Sequence, residues 1–220
     1  MKTNAMFNET FIYTPGTCWR RPRDNPAIGF AEGLQLIGGL ENKLAIRAAA
    51  PAVDINLFGP TSFYGPRTRG QFKRVVEELQ ADRDSRRAVV MVANPYDVSS
   101  TMPCTMGMQF YYVTGLNLLS ATITMRSSDA VWGLPYDMIQ FGMVHLALAN
   151  ILGAEPGDAI INIGNAHVYE DHTGGNDWRM NKFSMPKFTT WAEYETWATN
   201  TVEFCPSRRE LEGLFNLREV

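Results

Sequence analysis

Apolar and polar positions along the chain follow two periods, and the switches between them mark the elements. Ile28, Ala31, Leu34, Leu36 and Ile37 form an imperfect apolar stripe at helical spacing, opened by Asn25-Pro26 and stopped by Gly38-Gly39. Glu32 falls inside this helix, close to its apolar side. Residues 51–70 are rich in proline and glycine and read as loop. Phe72, Val75, Val76 and Leu79 then predict a helix over 71–80, and Ala88 to Val92 a buried strand. Met108 to Val113 and Leu118 to Arg126 read as two strands joined by a hairpin at Thr114 to Asn117. In the second, Leu119, Ala121, Ile123 and Met125 share one side. Ser120, Thr122, Thr124 and Arg126 share the other, and this polar set predicts the wall of a wet cavity.

Gly133-Leu134-Pro135 opens the most apolar segment, a helix over 136–152 with hydrophobic residues around most of its circumference. Such a helix belongs in the centre of a core. Pro156-Gly157-Asp158 breaks the pattern, and Ala159 to Ile163 predicts another apolar strand that runs into polar Gly164 to Tyr169. The opening, 1–24, has mixed polarity, with turn signals at Pro15-Gly16 and a basic cluster at Arg20, Arg21 and Arg23. Trp191, Tyr194 and Trp197 predict a packed edge in the tail. With no repeat or linker, residues 1–220 read as one domain, and a chain of 220 residues buries roughly 70% of its unfolded surface without staples.

Composition narrows the function classes. Twenty Lys and Arg against 23 Asp and Glu leave a formal charge of −3, which argues against a general nucleic-acid binder held by backbone phosphates. The three cysteines, Cys18, Cys104 and Cys205, have no CxxC spacing, and the start is not signal-like, so a cytoplasmic protein is expected. The apolar run Met138 to Leu152 is too short and too polar to span a membrane.

Candidate chemistry gathers at strand ends and polar junctions: Cys104 after Pro103, then Arg126, Ser127 and Asp129, then His167. Each alone has a bland explanation, a buried thiol or a surface charge. Together they suggest an anion site beside a nucleophile, because an arginine fork matches a phosphate and lowers the pKa of a nearby thiol. Zinc deaminase chemistry is excluded: Pro103-Cys104-Thr105-Met106-Gly107 lacks the second cysteine, and His167 precedes Val168-Tyr169. His167 and His172 are poorly spaced for a metal, so none is expected. Gly38-Gly39 and Gly174-Gly175 lack the spacing of a dinucleotide or Walker loop.

Met102-Pro-Cys-Thr-Met-Gly-Met-Gln-Phe110, Met125-Arg-Ser-Ser-Asp129, Gly133-Leu-Pro-Tyr-Asp137 and Gly164-Asn-Ala-His-Val-Tyr169, in that order, resemble the thymidylate synthase superfamily. Asn25-Pro26 with Glu32, Tyr64-Gly65 and Asp84-Ser-Arg-Arg87 are similar to its earlier motifs. The resemblance implies an α/β (α+β) fold in which a large mixed sheet with flanking helices packs back to back across a homodimer. It implies Cys104 as the nucleophile on C6 of a pyrimidine monophosphate, with Glu32, Asp137 and Tyr64 as further catalytic residues. Arg126 and Ser127 would hold the phosphate, and Arg86 and Arg87 would reach it across the dimer. His167 and Tyr169 would hold the sugar, and Gln109 would lie near the nucleotide. Asp129 and Val220 would contact 5,10-methylenetetrahydrofolate, with Arg218 to Val220 closing over the site. Arg20, Arg21 and Arg23 are the candidates for an N-terminal phosphate arginine.

Two positions resemble the deoxycytidylate hydroxymethylase branch. Asp137 stands where thymidylate synthases carry asparagine, and Thr105 where they carry histidine. A carboxylate accepts from the cytosine amine, whereas uracil O4 would set one buried acceptor against another. The expected reaction is therefore hydroxymethylation of dCMP or CMP. Reductive methylation of dUMP and a non-catalytic nucleotide- or RNA-binding dimer are the alternatives.

Overall fold

The computed structural model describes residues 3–59, 61–170 and 177–220; His172 and Gly174-Gly175 lie outside the described residues. The chain opens with strands β1 (Thr3–Tyr13) and β2 (Thr17–Arg20), then helices α1 (Ala27–Gly38) and α2 (Lys43–Ala49). After a loop come α3 (Gly65–Thr68), α4 (Gln71–Ala81), β3 (Val89–Met91), β4 (Thr105–Val113), β5 (Leu118–Met125) and the short β6 (Ser128–Asp129). Then follow α5 (Leu134–Leu152), β7 (Glu155–Tyr169), β8 (Arg179–Lys182), α6 (Trp191–Glu203), α7 (Arg208–Leu214) and β9 (Arg218–Glu219).

Six strands form a mixed sheet in the order β1-β7-β5-β4-β3, with β6 also on β7. β1–β7, β5–β4 and β4–β3 are antiparallel, whereas β5 and β6 run parallel to β7. A three-stranded antiparallel sheet, β2-β8-β9, lies apart. The alternation seen in β5 holds, since Leu119, Ala121, Ile123 and Met125 are all buried. They meet α5, whose Met138, Phe141, Val144, Ala147 and Leu148 are buried as its sequence demands. Each such side chain contributes about 1.5–3 kcal/mol on leaving water, so the sheet–α5 layer is the main hydrophobic store of the fold.

Helix α1 crosses α5 through glycines. A Cβ at Gly29 would sit 2.9 Å from Ile139 Cβ, and one at Gly33 would collide with the Met143 sulfur. These two positions, four apart, let the helices approach closely and carry Glu32 toward the first turns of α5. Between these glycines, Phe30 anchors α1 to another element, stacked on Phe215 at 4.4 Å between ring centroids.

Several expectations are corrected. The opening is not irregular: β1 is an edge strand paired along its length with β7, and its largely exposed residues gave no apolar alternation to read. β7 continues through Pro156-Gly157-Asp158 with a bulge rather than breaking: Glu155 and Pro156 already pair with Leu118 and Leu119 of β5, and the register shifts before Ala121 meets Ala159. The polar side of β5 meets a cavity at Arg126 but not along the strand. Thr122, between Gln109 and Ile160, and Thr124, between Gly107 and Asn162, lie on the open face of the sheet, away from α5. The packed edge of the tail is α6, started by a capping box of Thr190 and Glu193.

Candidate active site

Cys104 sits just before β4, where the register with β5 slips between Thr105 and Gly107. Bulges of this kind re-aim side chains at sheet rims. The slip leaves the Cys104 carbonyl to accept from Arg126 N–H at 2.8 Å, so nucleophile candidate and arginine are tied by their backbones. The Arg126 side chain is exposed and folds over the same loop: Nε donates to Pro103 O at 2.9 Å and Nη2 to Met102 O at 3.1 Å. β6 then brings in the next pair, with Asp129 opposite His167 and Ala130 N–H donating to His167 O. Asp129 Oδ1 accepts from the N–H groups of Val131 and Trp132, which shapes the turn into α5.

These elements surround a cavity of about 560 Å³ lined by Cys104, Glu32, Tyr64, Arg126, Ser127, Asp129, Asp137, Gln140, His167 and Tyr169. Residues from six separate stretches of sequence thus line one cavity. The His167 and Tyr169 rings meet edge to face at 5.1 Å. Tyr64 is buried, its ring stacked parallel to Phe141 at 6.3 Å. An adjoining cavity of about 600 Å³ shares Ile28, Val53, Leu57, Trp132 and Tyr136 with the first and reaches Arg23 and Arg208.

Electrostatics divide the cavity. Asp137, 8% exposed in the first turn of α5, accepts from Gln140 Nε2 at 2.9 Å. Burial nonetheless pushes its carboxyl up to about 7, with the Gln140 amide and the Ser128 hydroxyl acting in the opposite sense. Burial also raises Glu32 well above the carboxylate range, and the Asp137 charge adds to the rise. Tyr64 is raised by burial first and by Asp137 second. Two buried carboxyls whose charged forms are disfavoured line one cavity, which makes them candidates for acid–base chemistry.

The expected lowering of the Cys104 thiol by a nearby arginine fork is corrected. Burial pushes the thiol up; Arg126 and a hydrogen bond with Ser127 draw it down without overcoming that effect. Arg126 is solvent-exposed rather than buried, so its field is weakened by water.

Other expected site residues lie elsewhere. Arg87 is on the surface, bridged to Glu78 at 2.8 Å, and Arg86 is exposed beside it. Gln109 lies on the open sheet face and donates to Arg86 O. Val220 is exposed and does not close over the cavity; its N–H donates to Met180 O, continuing the β8–β9 pairing. Arg21 is committed to Asp24. Gln140 and Trp132 were missed in the sequence. Gln140 could have been found as an amide in the most apolar helix, three residues after Asp137 and hence on its face. Trp132 carried no such signal.

The donor set holds no metal centre: among the described residues, no three His, Cys, Asp or Glu side chains gather to bind one. No helix among them is long and apolar enough to cross a membrane.

Comparison with known proteins gives two matches. The thymidylate synthase family model matches residues 43–203, well over half of the chain. The crystal structure of thymidylate synthase from T4 phage superposes with a TM-score of 0.67 at 18% sequence identity, covering 98% of this chain and 86% of that one. The second likeness is one of fold.

Proposed function

The chain belongs to the thymidylate synthase family, enzymes of folate-dependent one-carbon transfer through a covalent cysteine adduct, and within that chemistry we propose that it hydroxymethylates a cytidine monophosphate, dCMP or CMP. The observation that carries the reading is Asp137, a carboxyl in the same cavity as Cys104. Ionised, it accepts from the cytosine amine; neutral, it donates to N3 while its carbonyl accepts from that amine. Uracil is matched only by the neutral acid, through O4 and N3–H. The ionised form would set two acceptors together at a cost of about 1–3 kcal/mol.

The residues divide the work. Cys104 adds to C6, its proton leaving to the Glu32–Asp137 side of the cavity, and C5 becomes an enolate-like nucleophile. The folate co-substrate supplies a carbon at the oxidation level of formaldehyde. Glu32, its carboxyl pushed well above the usual value by burial, serves the proton transfers at the base, with Tyr64 beside it. Loss of the C5 proton and departure of tetrahydrofolate would leave an exocyclic methylene; water, rather than hydride, would add to it, and Cys104 would leave C6 to restore the ring. Arg126, with two of its nitrogens on backbone carbonyls, offers the rest of its fork with Ser127 to the phosphate, and His167 and Tyr169 face the sugar. The folate fits the adjoining space: an apolar slot of Ile28, Val53, Leu57 and Trp132 suits an aromatic heterocycle, and Arg23 and Arg208 suit an acidic tail. Asp129 lies at the boundary.

The proposed working unit is a homodimer. The open sheet face exposes Ile12, Val89 and Met91, apolar surface that a second copy would cover, and Arg86 and Arg87 would then serve the partner's phosphate.

Methylation of dUMP is the second reading, and the comparisons favour it over the first, since the family model and the T4 phage structure are both of thymidylate synthases. Incubation with 5,10-methylenetetrahydrofolate and dCMP, CMP or dUMP, read by product mass, separates the two. A 5-hydroxymethyl cytidylate supports the first. Thymidylate with dihydrofolate from dUMP, and no product from either cytidylate, overturns it.

A further inference from the structure

Trp132 stands between the two cavities and lines both, with 46% of its surface exposed. What lies behind it is unusual for a surface aromatic. Arg21 and Asp24 have side chains only 4% and 5% exposed, joined at 2.8 Å between Nη2 and Oδ1. Arg21 Nε also donates to both carboxylate oxygens, and its backbone N–H donates to Oδ2 at 2.8 Å. The guanidinium carbon lies 5.9 Å from the Trp132 ring centroid and 5.1 Å from that of Trp178. A buried ion pair carries a desolvation cost that its own attraction rarely exceeds by much, so it is weak as a purely stabilising device. It does fix the plane of the guanidinium, and a fixed guanidinium under an indole fixes the indole. The backbone of Trp132 is held from the other side, by its N–H on Asp129 Oδ1 at 3.1 Å.

We propose that Arg21, locked by Asp24, is a positioning residue that holds the Trp132 indole as a stacking platform for the aromatic part of the folate co-substrate. This rests on the folate-dependent reading above. It also assigns Arg21 a role other than phosphate binding: its fork is filled by Asp24 and its face by two indoles. A mobile indole would still cover the slot, but would not set the co-substrate at one angle over C5, so the cost of loosening it falls on co-substrate binding and leaves nucleotide binding alone.

Calorimetric titration of the whole protein tests this, using tetrahydrofolate, which carries no transferable carbon, with each pyrimidine monophosphate present at saturation. Arg21→Lys keeps the charge and loses both the fork and the flat face. It is expected to weaken tetrahydrofolate binding about tenfold while nucleotide affinity stays within about twofold. In a Trp132→Leu background, the same Arg21→Lys change is expected to have no further effect on tetrahydrofolate, because the residue acts through the indole. Unchanged tetrahydrofolate affinity in Arg21→Lys overturns the proposal. So does an equal loss in the Trp132→Leu background, or an equal loss of nucleotide affinity, either of which marks a general structural role. If the unaltered protein binds nucleotide but not tetrahydrofolate, the folate reading fails, and the platform with it.

Discussion

Helix α5 buries two ionisable side chains about two turns apart, and they are treated in opposite ways. His145 lies in the middle, under the sheet, with Nε2 on Leu119 O at 2.6 Å and its ring edge to face with Phe110. Burial lowers its pKa to about 4, so it stays neutral and acts as a packed side chain with one hydrogen bond. Asp137 lies at the cavity end, where burial raises its pKa to about 7 and Glu32 stands opposite. The same force, loss of water around a charge, thus silences one residue and poises the other within reach of neutral pH. Position along one helix decides which: the middle faces only core, the first turn faces a cavity.

The sharpest way to break the comparison is at Cys104, the proposed nucleophile in the same cavity. Cys104→Ala is expected to lower turnover on the order of 10³-fold or more, with nucleotide affinity and melting temperature close to those of the parent. A variant that kept its turnover would remove any reason for the poised carboxyls. Next comes the seam that brings them together. Gly33→Ala places a methyl group on the Met143 sulfur and pushes α1 from α5, at a cost of about 1–3 kcal/mol in urea unfolding. Because Glu32 is its neighbour, turnover should fall as well.

Stability against pH compares the two residues directly. His145 binds its proton at about 4 when folded and near 6.5 when unfolded, so stability is intact above pH 6.5 and falls as pH drops toward 4. Asp137 binds its proton at about 7 when folded and near 3.8 when unfolded, so its contribution is most favourable near pH 4 and is lost as pH rises toward 7. The slopes oppose, and the parent profile should be comparatively flat between them. His145→Gln should expose the falling slope, and Asp137→Asn the rising one, each amounting to about 1–3 kcal/mol over the window by denaturant unfolding. Identical profiles in all three proteins would mean that neither group is shifted as described. A smaller effect is expected in base choice: preference for cytidylate over uridylate should increase severalfold as pH passes upward through 7, because only ionised Asp137 rejects O4.

How much of this was legible in the sequence follows the same division. The core end of α5 and the apolar side of β5 could be read, because burial leaves a period in the residue types. Helix α1 could be read, but not the reason for Gly29 and Gly33, whose value depends on which helix crosses them. β1 could not be read, because an edge strand with a solvated surface has no apolar period. The polar face of β5 was read as a cavity wall throughout, which holds at Arg126 but not at Thr122 and Thr124, since alternation reports that a face is wet and not what wets it. In the site, Cys104, Glu32, Tyr64, Arg126, Ser127, Asp129, Asp137, His167 and Tyr169 were named from motif order and share the cavity. Arg86, Arg87, Gln109 and Val220 were named the same way and lie outside it in the single chain. The Arg21 clamp on Trp132 has no local signature at all, since its members come from three distant stretches.

The central claim is that the carboxyl of Asp137 selects the base presented to Cys104, and the most direct measurement is the ratio of kcat/KM for cytidylate to that for uridylate in the parent and in Asp137→Asn. At pH 8 the parent should favour cytidylate, and the asparagine, which offers both a donor and an acceptor to O4 and N3–H, should shift the ratio toward uridylate by about 10- to 100-fold. A parent that prefers uridylate, or a ratio unmoved by the substitution, would contradict the account.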